Sequence, residues 1–419
     1  MPIELTEADR ARLAGDEGEA AALAMRILVE TAGVMGAERL VDIVSAHVDG
    51  CLYHGLAGLD FAERLVAGGA TVSVPTTLNV GYLDLLHPNR YRGDAETSAN
   101  ARRQMDLYVA MGCRPTWTCA PYQLPERPAF GEHVAWAESN AIVFCNSVLG
   151  SRTNRYGDFI DVCAAIAGRA PFAGLHRDDE RRARLVLRLA DVSPRLLSSD
   201  ALYPVLGHVL GTEAGSSVAA IDGLPADTSE DRLKAIGAAA ASSGSVAMFH
   251  AIGVTPEAAT LAAATGGLQA AEIFVSTGQL RAARDELTTT DGDALGGVSV
   301  GTPHASLAEV ERLARLVQDH RFAIPFYVNT SRAVLAKAER RGWVTTLMAA
   351  GIEIVTDTCT YLTPVMRALE GPVMTDSAKW AWYAPANLGV DVVIGGIEEC
   401  VASAAAGRVV RDDDVWADD

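Results

Sequence analysis

The hydrophobic and polar positions change rhythm along the chain. From Ala21 to Val34 apolar residues recur at helical spacing, and Thr6 is placed to cap an earlier turn, so residues 6–35 read as N-terminal helices. Beyond them the apolar residues come in short runs closed by polar or glycine-containing turns. Val41–Ala46, Thr71–Val74, Pro115–Cys119 and Ala141–Phe144 read as strands, and Phe159–Gly168 as a helix. The second half is more regular. Strand-like runs recur at Ser245–Phe249, Ala271–Val275, Val298–Val300, Ile324–Val328, Ile352–Val355 and Val392–Ile394, and a helix-like segment follows most of them. That alternation predicts an α/β fold of parallel βα units with right-handed crossovers. The stretch Ile221–Glu230, rich in Asp, Gly, Pro, Thr and Ser, reads as a linker between lobes at 36–220 and 231–410.

Polar residues close most of these runs: His250, Ser276 and Thr277, Thr302 and His304, Asn329 to Ser331, Asp357 to Cys359, and then Gly395 and Gly396. Parallel sheets bind ligands beyond the carboxyl ends of their strands, so this edge is where chemistry is expected. Strand ends also need Ser, Thr, Asn and Gly for turns and caps, which accounts for about half of the set. Cys359 and His304 are less well explained that way.

Bulk composition narrows the classes. The chain has 419 residues, 49% hydrophobic and 21% charged, with a net charge of −18. A chain this acidic is ill suited to nucleic acid or an anionic membrane surface, although a small anion can still be met by local basic groups. The apolar run Ala20–Val29 is interrupted by Arg26, and the acidic start lacks the regions of a signal peptide. Seven scattered cysteines, without CxxC pairs, read as reduced thiols in a cytoplasmic protein. HExxH, GxxxxGK(S/T) and a nucleophile elbow are missing from the sequence.

Six segments could carry chemistry. The thirteen residues from Asn146 to Asp158 crowd Asn146, Ser147, Arg152, Thr153, Asn154 and Arg155 between two buried-looking elements. Guanidiniums beside amides and hydroxyls can fix a carboxylate or phosphate; the competing reading is a helix cap with solvated arginines. Cys119 and Cys359 lie in polar loops after strand-like runs, where a metal or cluster ligand is expected. Cys163 sits in an apolar helix and reads as an inert core thiol, Cys113 and Cys145 can be the same, and Cys400 is open to either role. Lys379, in Met374-Thr-Asp-Ser-Ala-Lys-Trp-Ala-Trp-Tyr-Ala-Pro385, is either a buried cation facing an anion or a snorkelling surface lysine. His47-Val-Asp-Gly-Cys-Leu-Tyr-His54, where Gly50 permits close backbone approach, and Pro75-Thr-Thr-Leu-Asn79 complete the set.

Taken in order, Pro75–Asn79, the Cys119 loop, Asn146–Arg155, Gly301-Thr-Pro-His-Ala-Ser306, the Cys359 loop and Thr375–Lys379 resemble the large subunit of the aconitase X family over nearly the whole chain. The resemblance implies an aconitase-superfamily α/β fold over residues 1–419, a hydro-lyase (dehydratase) reaction and an iron–sulfur cluster. It further implies a separate small swivelling-domain subunit, which would supply the catalytic base, and hence a heteromer. No such domain is recognised in this sequence, which closes in an acidic tail at Arg411–Asp419.

Under that resemblance Cys119 and Cys359 are the cluster ligands. Family members with three cluster cysteines carry one where this chain has Thr302, a hard and poorly acidic oxygen donor. The third ligand is therefore open between the Thr302 position, Cys400 and Cys51, and a smaller 2Fe–2S cluster is among the possible types. Gly50, Cys51, Asn79, Ser147, Arg152, Thr153, Asn154 and Lys379 are expected to hold a small hydroxy acid, with His304 and Lys379 as the catalytic pair. The expected reaction takes cis-3-hydroxy-L-proline to 1-pyrroline-2-carboxylate. The alternatives are dehydration of mevalonate 5-phosphate, which would call for a further cation near Gly50 where this chain has His54, and, from another class, an iron–sulfur regulatory protein.

Overall fold

The computed structural model describes residues 3–318, 320–367 and 369–417. It resolves into two units, Met1–Leu83 with Gly93–Arg182, and Asp84–Arg92 with Ala183–Asp419.

The first unit opens with the helices Glu7–Ala14 and Glu19–Val34. Thr6 caps the first of them reciprocally with Asp9, as its side chain chemistry favours. The strands are short: β1 (Leu40–Asp42), β2 (Ala46–Val48), β3 (Thr76–Leu78), β4 (Ala135–Trp136) and β5 (Arg169–Pro171). β1 and β5 pair antiparallel, and β3, β2 and β4 form a parallel sheet with β2 in the centre. The expected single strand at 41–46 is thus two strands in two sheets. The expected strand at 71–74 forms slightly later, after Pro75. Pro115–Cys119 lies outside the named strands; Pro115 has no N–H to give a ladder.

Ala141–Phe144 is a helix, not a strand. Glu138 caps the helix Ser139–Phe144, which runs on into a π-helical turn, Cys145–Leu149. Residues 140–146 are all buried. A helix with no polar face leaves the same uninterrupted apolar run as a buried strand, so the pattern could not separate the two. The helix Ile160–Ala167, by contrast, falls where the sequence placed it, ending on Gly168 in the left-handed region (φ 65°).

The second unit holds two parallel sheets. The first contains β6 (Leu185–Asp191), β7 (Ala219–Asp222), β8 (Phe249–Ala251) and β9 (Ala271–Ser276), in the order β8-β7-β6-β9. The second contains β10 (Gly297–Ala305), β11 (Phe326–Thr330), β12 (Ile352–Val355), β13 (Val373–Thr375) and β14 (Val392–Ile394), in the order β12-β11-β10-β13-β14. Val298, Val300, Phe326, Val328, Ile352, Ile354, Met374 and Val393 form the centre of its core. Ile352–Val355 and Val392–Ile394 match the sequence expectation residue for residue. β6, β7 and β13 were not anticipated.

The stretch 221–230 is not a lobe boundary. β7 ends at Asp222, and the Ser229 side chain caps the helix Glu230–Ser243, so these residues form one βα loop. Such a loop needs the same Gly, Pro and Ser that a linker would. The break between units falls instead between Arg182 and Ala183. The helices Leu202–Ala214 and Glu230–Ser243 approach closely enough that a Cβ on Gly207 would collide with the Ile236 carbonyl. Among the described residues no helix is long and apolar enough to cross a membrane.

One ionic group ties the two sheets of this unit together. Lys234, 3% exposed, bonds Asp231 on its own helix at 3.0 Å and Glu309 on the helix Leu307–Leu316 that follows β10. Burial pulls its pKa down, but Glu309 and Asp231 outweigh that and leave it raised. Removing one member of a buried pair leaves the others uncompensated. Lys234→Ala is therefore expected to cost about 3 kcal/mol, read as a lowered urea midpoint with unchanged slope; an unshifted midpoint would show the group to be dispensable.

Candidate active site

In the second unit the five-stranded sheet delivers polar residues to its carboxyl edge. The β10–β11 register shifts between Val300 and Ala305, so Gly301-Thr-Pro-His304 leaves the regular ladder. Gly301 has φ 80°, and a Cβ there would strike the Asn329 backbone, which makes glycine necessary at this turn. His304 is fully buried, and its Nε2 lies 3.2 Å from the Thr358 carbonyl. Donation from Nε2 leaves Nδ1 as the lone-pair nitrogen, the arrangement common for a ligating histidine. Burial holds the imidazole neutral, with its pKa lowered to about 4. The donor atoms of His304 and Cys359 lie within 4.8 Å of one another.

The Cys359 loop is rigidly supported. Asp357 has a left-handed backbone (φ 61°), and Arg332 holds its carboxylate through two hydrogen bonds of 2.6 Å. Asn329 donates to the Val300 carbonyl and accepts from the Thr360 amide, and Trp380 Nε1 donates to Thr360 Oγ1 at 3.0 Å. A strained residue held by so many partners is characteristic of a site whose geometry is imposed. Thr302, 6% exposed, has a buried Oγ1 without a hydrogen-bond partner. Lys379, in the first turn of the helix Ala378–Leu388, is 3% exposed. That rules out the snorkelling surface lysine.

In the first unit the parallel sheet β3-β2-β4 carries Asp49 and Gly50 beyond β2, Asn79 beyond β3 and Glu138 beyond β4. Asn79 Nδ2 donates to Asp49 Oδ1. Asp161, at the start of the helix Ile160–Ala167, accepts from the amides of Asp49 at 2.7 Å and Gly50 at 3.2 Å. Burial first, and then the Asp158 and Glu138 carboxylates, push Asp49 up to about 8; burial and Asp158 push Asp161 up to about 7. Cys119 is a buried thiol in the same unit, 4% exposed. The Asn140 side chain donates to its carbonyl at 2.9 Å.

The loop from Asn146 to Arg155 is bound up in holding itself. Asn146, fully buried, donates to the Thr153 carbonyl and accepts from the Thr153 amide and from Arg181. Thr153 Oγ1 accepts from the Trp136 amide, and Asn154 spans the Ala173 carbonyl and the Leu175 amide. Arg152 donates to the His176 carbonyl and to Asp178. Arg152, Thr153 and Asn154 thus correct the expectation of an anion cradle, because their polar atoms close this loop. Ser147, 2% exposed, lies in the same π-helical turn.

Two suggested third ligands sit in unsuitable settings. Cys400 is part of the hydrophobic core against the five-stranded sheet. The Cys51 thiol points at the Val48, Asn79 and Val80 carbonyls, and burial and Asp49 push its pKa well up. Both are protonated core thiols. His304, expected as one of the catalytic pair, is a buried neutral imidazole with a donor atom near that of Cys359.

Models of the aconitase X first, second and third domains match residues 2–179, 183–285 and 295–406. The chain belongs to the aconitase X family. Among similar aconitase X proteins, the cis-3-hydroxy-L-proline dehydratase of Pseudomonas aeruginosa is 44% identical over 96% of this chain and 70% of its own length. The phosphomevalonate dehydratase large subunit of Methanothermobacter thermautotrophicus is 42% identical over 90% of this chain and 93% of its own. The crystal structure of Thermococcus kodakaraensis aconitase X in its holo-form superposes with a TM-score of 0.86 at 34% identity, covering 96% of this chain and 100% of that one. Aconitase X relatives are thus named as dehydratases, and several as large subunits.

The hydrogen-bond pattern separates loop-holding residues from the rest. Asn146→Ala leaves the Thr153 amide without its acceptor in the interior and takes one of several bonds from Arg181, which keeps the Leu175, Asn146 and Ser151 carbonyls, and is expected to cost about 2–3 kcal/mol. Arg152→Ala, which loses a half-exposed ion pair and one charged hydrogen bond, should cost about 1–2 kcal/mol. Thermal unfolding checks both, and a larger loss for Arg152→Ala would reverse the assignment.

Proposed function

We propose that the chain is the large catalytic subunit of a hydro-lyase that converts cis-3-hydroxy-L-proline to 1-pyrroline-2-carboxylate, in the cytoplasm. The observation that carries this reading is the buried thiol of Cys359 beside the imidazole of His304, at a sheet edge that also bears the buried Lys379. Identity to dehydratases of that substrate over nearly the whole chain supports it. The seven cysteines, all free and buried, fit a reducing compartment. Identity to phosphomevalonate dehydratase large subunits keeps mevalonate 5-phosphate as the second reading.

The donor chemistry fits an iron–sulfur cluster: soft thiols with an oriented imidazole, and an orphaned buried hydroxyl at Thr302. Cys119 and Cys359 would hold it, with His304 as a third donor. When bound, the cluster supplies a Lewis acid for the departing hydroxyl.

Dehydration takes the proton beside the carboxylate and hydroxide from the next carbon. As the proton leaves, negative charge builds on the carboxylate. A buried ammonium at Lys379 is already in place to meet that charge, without solvent reorganisation. Gly50, whose missing Cβ makes room for the Tyr108 hydroxyl, lies beyond β2, and Asn79 and Ser147 offer polar groups that orient the substrate. His304, kept neutral by burial, holds its lone pair ready for a metal and does not serve as an acid. The base comes from a small swivelling subunit, in keeping with relatives named as large subunits.

Two experiments test the assignment. Cys119→Ala and Cys359→Ala should each lose bound iron, and Cys163→Ala, inside the helix Ile160–Ala167, should keep it; normal iron in either of the first two removes that residue from the ligand set. With the small subunit supplied, Lys379→Ala should lower kcat/KM roughly 30-fold to several thousand-fold, the effect of deleting one partner of a desolvated ion pair worth about 2–5 kcal/mol. An activity within about twofold of wild type would place the substrate carboxylate elsewhere.

A further inference from the structure

The loop that presents Cys359 is tied on both sides by one short segment of the second unit, Asp84–Arg92. Ahead of Cys359, the Asp84 carboxylate accepts from the Thr356 amide at 3.3 Å and from the Thr356 hydroxyl at 3.1 Å. The Leu85 amide donates to the Asp357 carboxylate at 3.1 Å, and Arg90 donates to the Ile354 carbonyl. Beyond Cys359, the Arg92 amide donates to the Pro364 carbonyl at 2.9 Å. Asp84 is 2% exposed, and it also accepts from the Leu86 and His87 amides and lies 2.9 Å from the His87 ring. One buried carboxylate therefore fixes the turn of its own segment and the start of the loop together.

Between these ties lie the groups on which a bound metal would depend. The Thr358 carbonyl faces His304 Nε2 and so sets which imidazole nitrogen keeps its lone pair. The next residue is Cys359, whose thiol lies within 4.8 Å of the His304 donor atom. Asp357, just before them, holds a left-handed backbone (φ 61°) that a non-glycine residue keeps only when its surroundings enforce it. A loop freed at Thr356 would let Asp357 relax, and that motion would displace the thiol and the orienting carbonyl at once. We infer that Asp84 is a positioning residue for the Cys359–His304 pair: through Thr356 it fixes the loop that presents the thiol and orients the imidazole. This rests on the cluster reading above and names the group that sets the geometry of its ligands.

The test loads the full chain with iron and sulfide and follows iron transfer to a chelator, with the visible spectrum recorded alongside. Asp84→Ala and Thr356→Val should each release iron about 10–100-fold faster than wild type, the usual effect of removing a group that orients a metal ligand. Thr356→Ser, which keeps the hydroxyl, should retain iron as wild type does. Leu280→Ala, in the buried face of the helix Thr277–Glu286 that follows β9, controls for lost stability: it should lower the unfolding midpoint without speeding release. Should Asp84→Ala fail to fold, Thr356→Val against Thr356→Ser decides. Wild-type release from the folded variants, or release from Leu280→Ala as fast as theirs, overturns the inference and leaves the cluster reading standing. A wild-type chain that takes up no iron overturns both.

Discussion

Covering both faces of a parallel sheet with helices leaves its ends as the place for polar chemistry, and that constraint organises this molecule. Side chains along β10 and β11 are buried, so a charge or a ligand can be introduced only where the strands stop. The chain applies the rule in each unit separately. In the first, a three-stranded sheet ends in Asp49, Asn79 and Glu138. In the second, a five-stranded sheet ends in His304, Asn329, Asp357 and Cys359. The polar residues at these ends are held by further polar residues, Asp161 in one case and Arg332 with Trp380 in the other. That second layer converts flexible loops into fixed geometry.

How much of this could be read in the sequence depends on the length scale of the signal. The α/β alternation of the second half was legible because its strands are apolar runs of ordinary length between helices. The first half was not, because its strands are two or three residues long and give almost no periodicity. The helix Ser139–Phe144 was misread because it is buried on every side. The candidate site divides in the same way. His304 and Cys359 stood out as residues that turns do not require. Arg152 and Asn154 stood out for the opposite reason: a loop that must close on itself needs as many polar groups as one that binds a ligand. Asp161 and Lys234 carried no signal, since an acid or a lysine in a short polar run looks solvated until the fold shows where it lies.

The overall acidity and the local charges answer different questions. A net charge of −18 describes the surface that a partner meets at long range. It says nothing about Lys379, buried at one sheet edge, or about the carboxylates gathered around Asp49 at another. Those interior charges face far less screening than the surface ones do.

The nine-residue segment Asp84–Arg92 interrupts the first unit and belongs to the second. Asp84 accepts from Thr356, Arg90 donates to the Ile354 carbonyl, and the Arg92 amide donates to the Pro364 carbonyl. Those partners lie some 270 positions downstream in synthesis order. On the ribosome the segment therefore emerges long before the residues that receive it, and it must wait, unanchored, until most of the chain has been made. The two units are in this sense stitched rather than strung. A nascent chain released early would carry a first unit whose middle segment still lacks the residues it bonds.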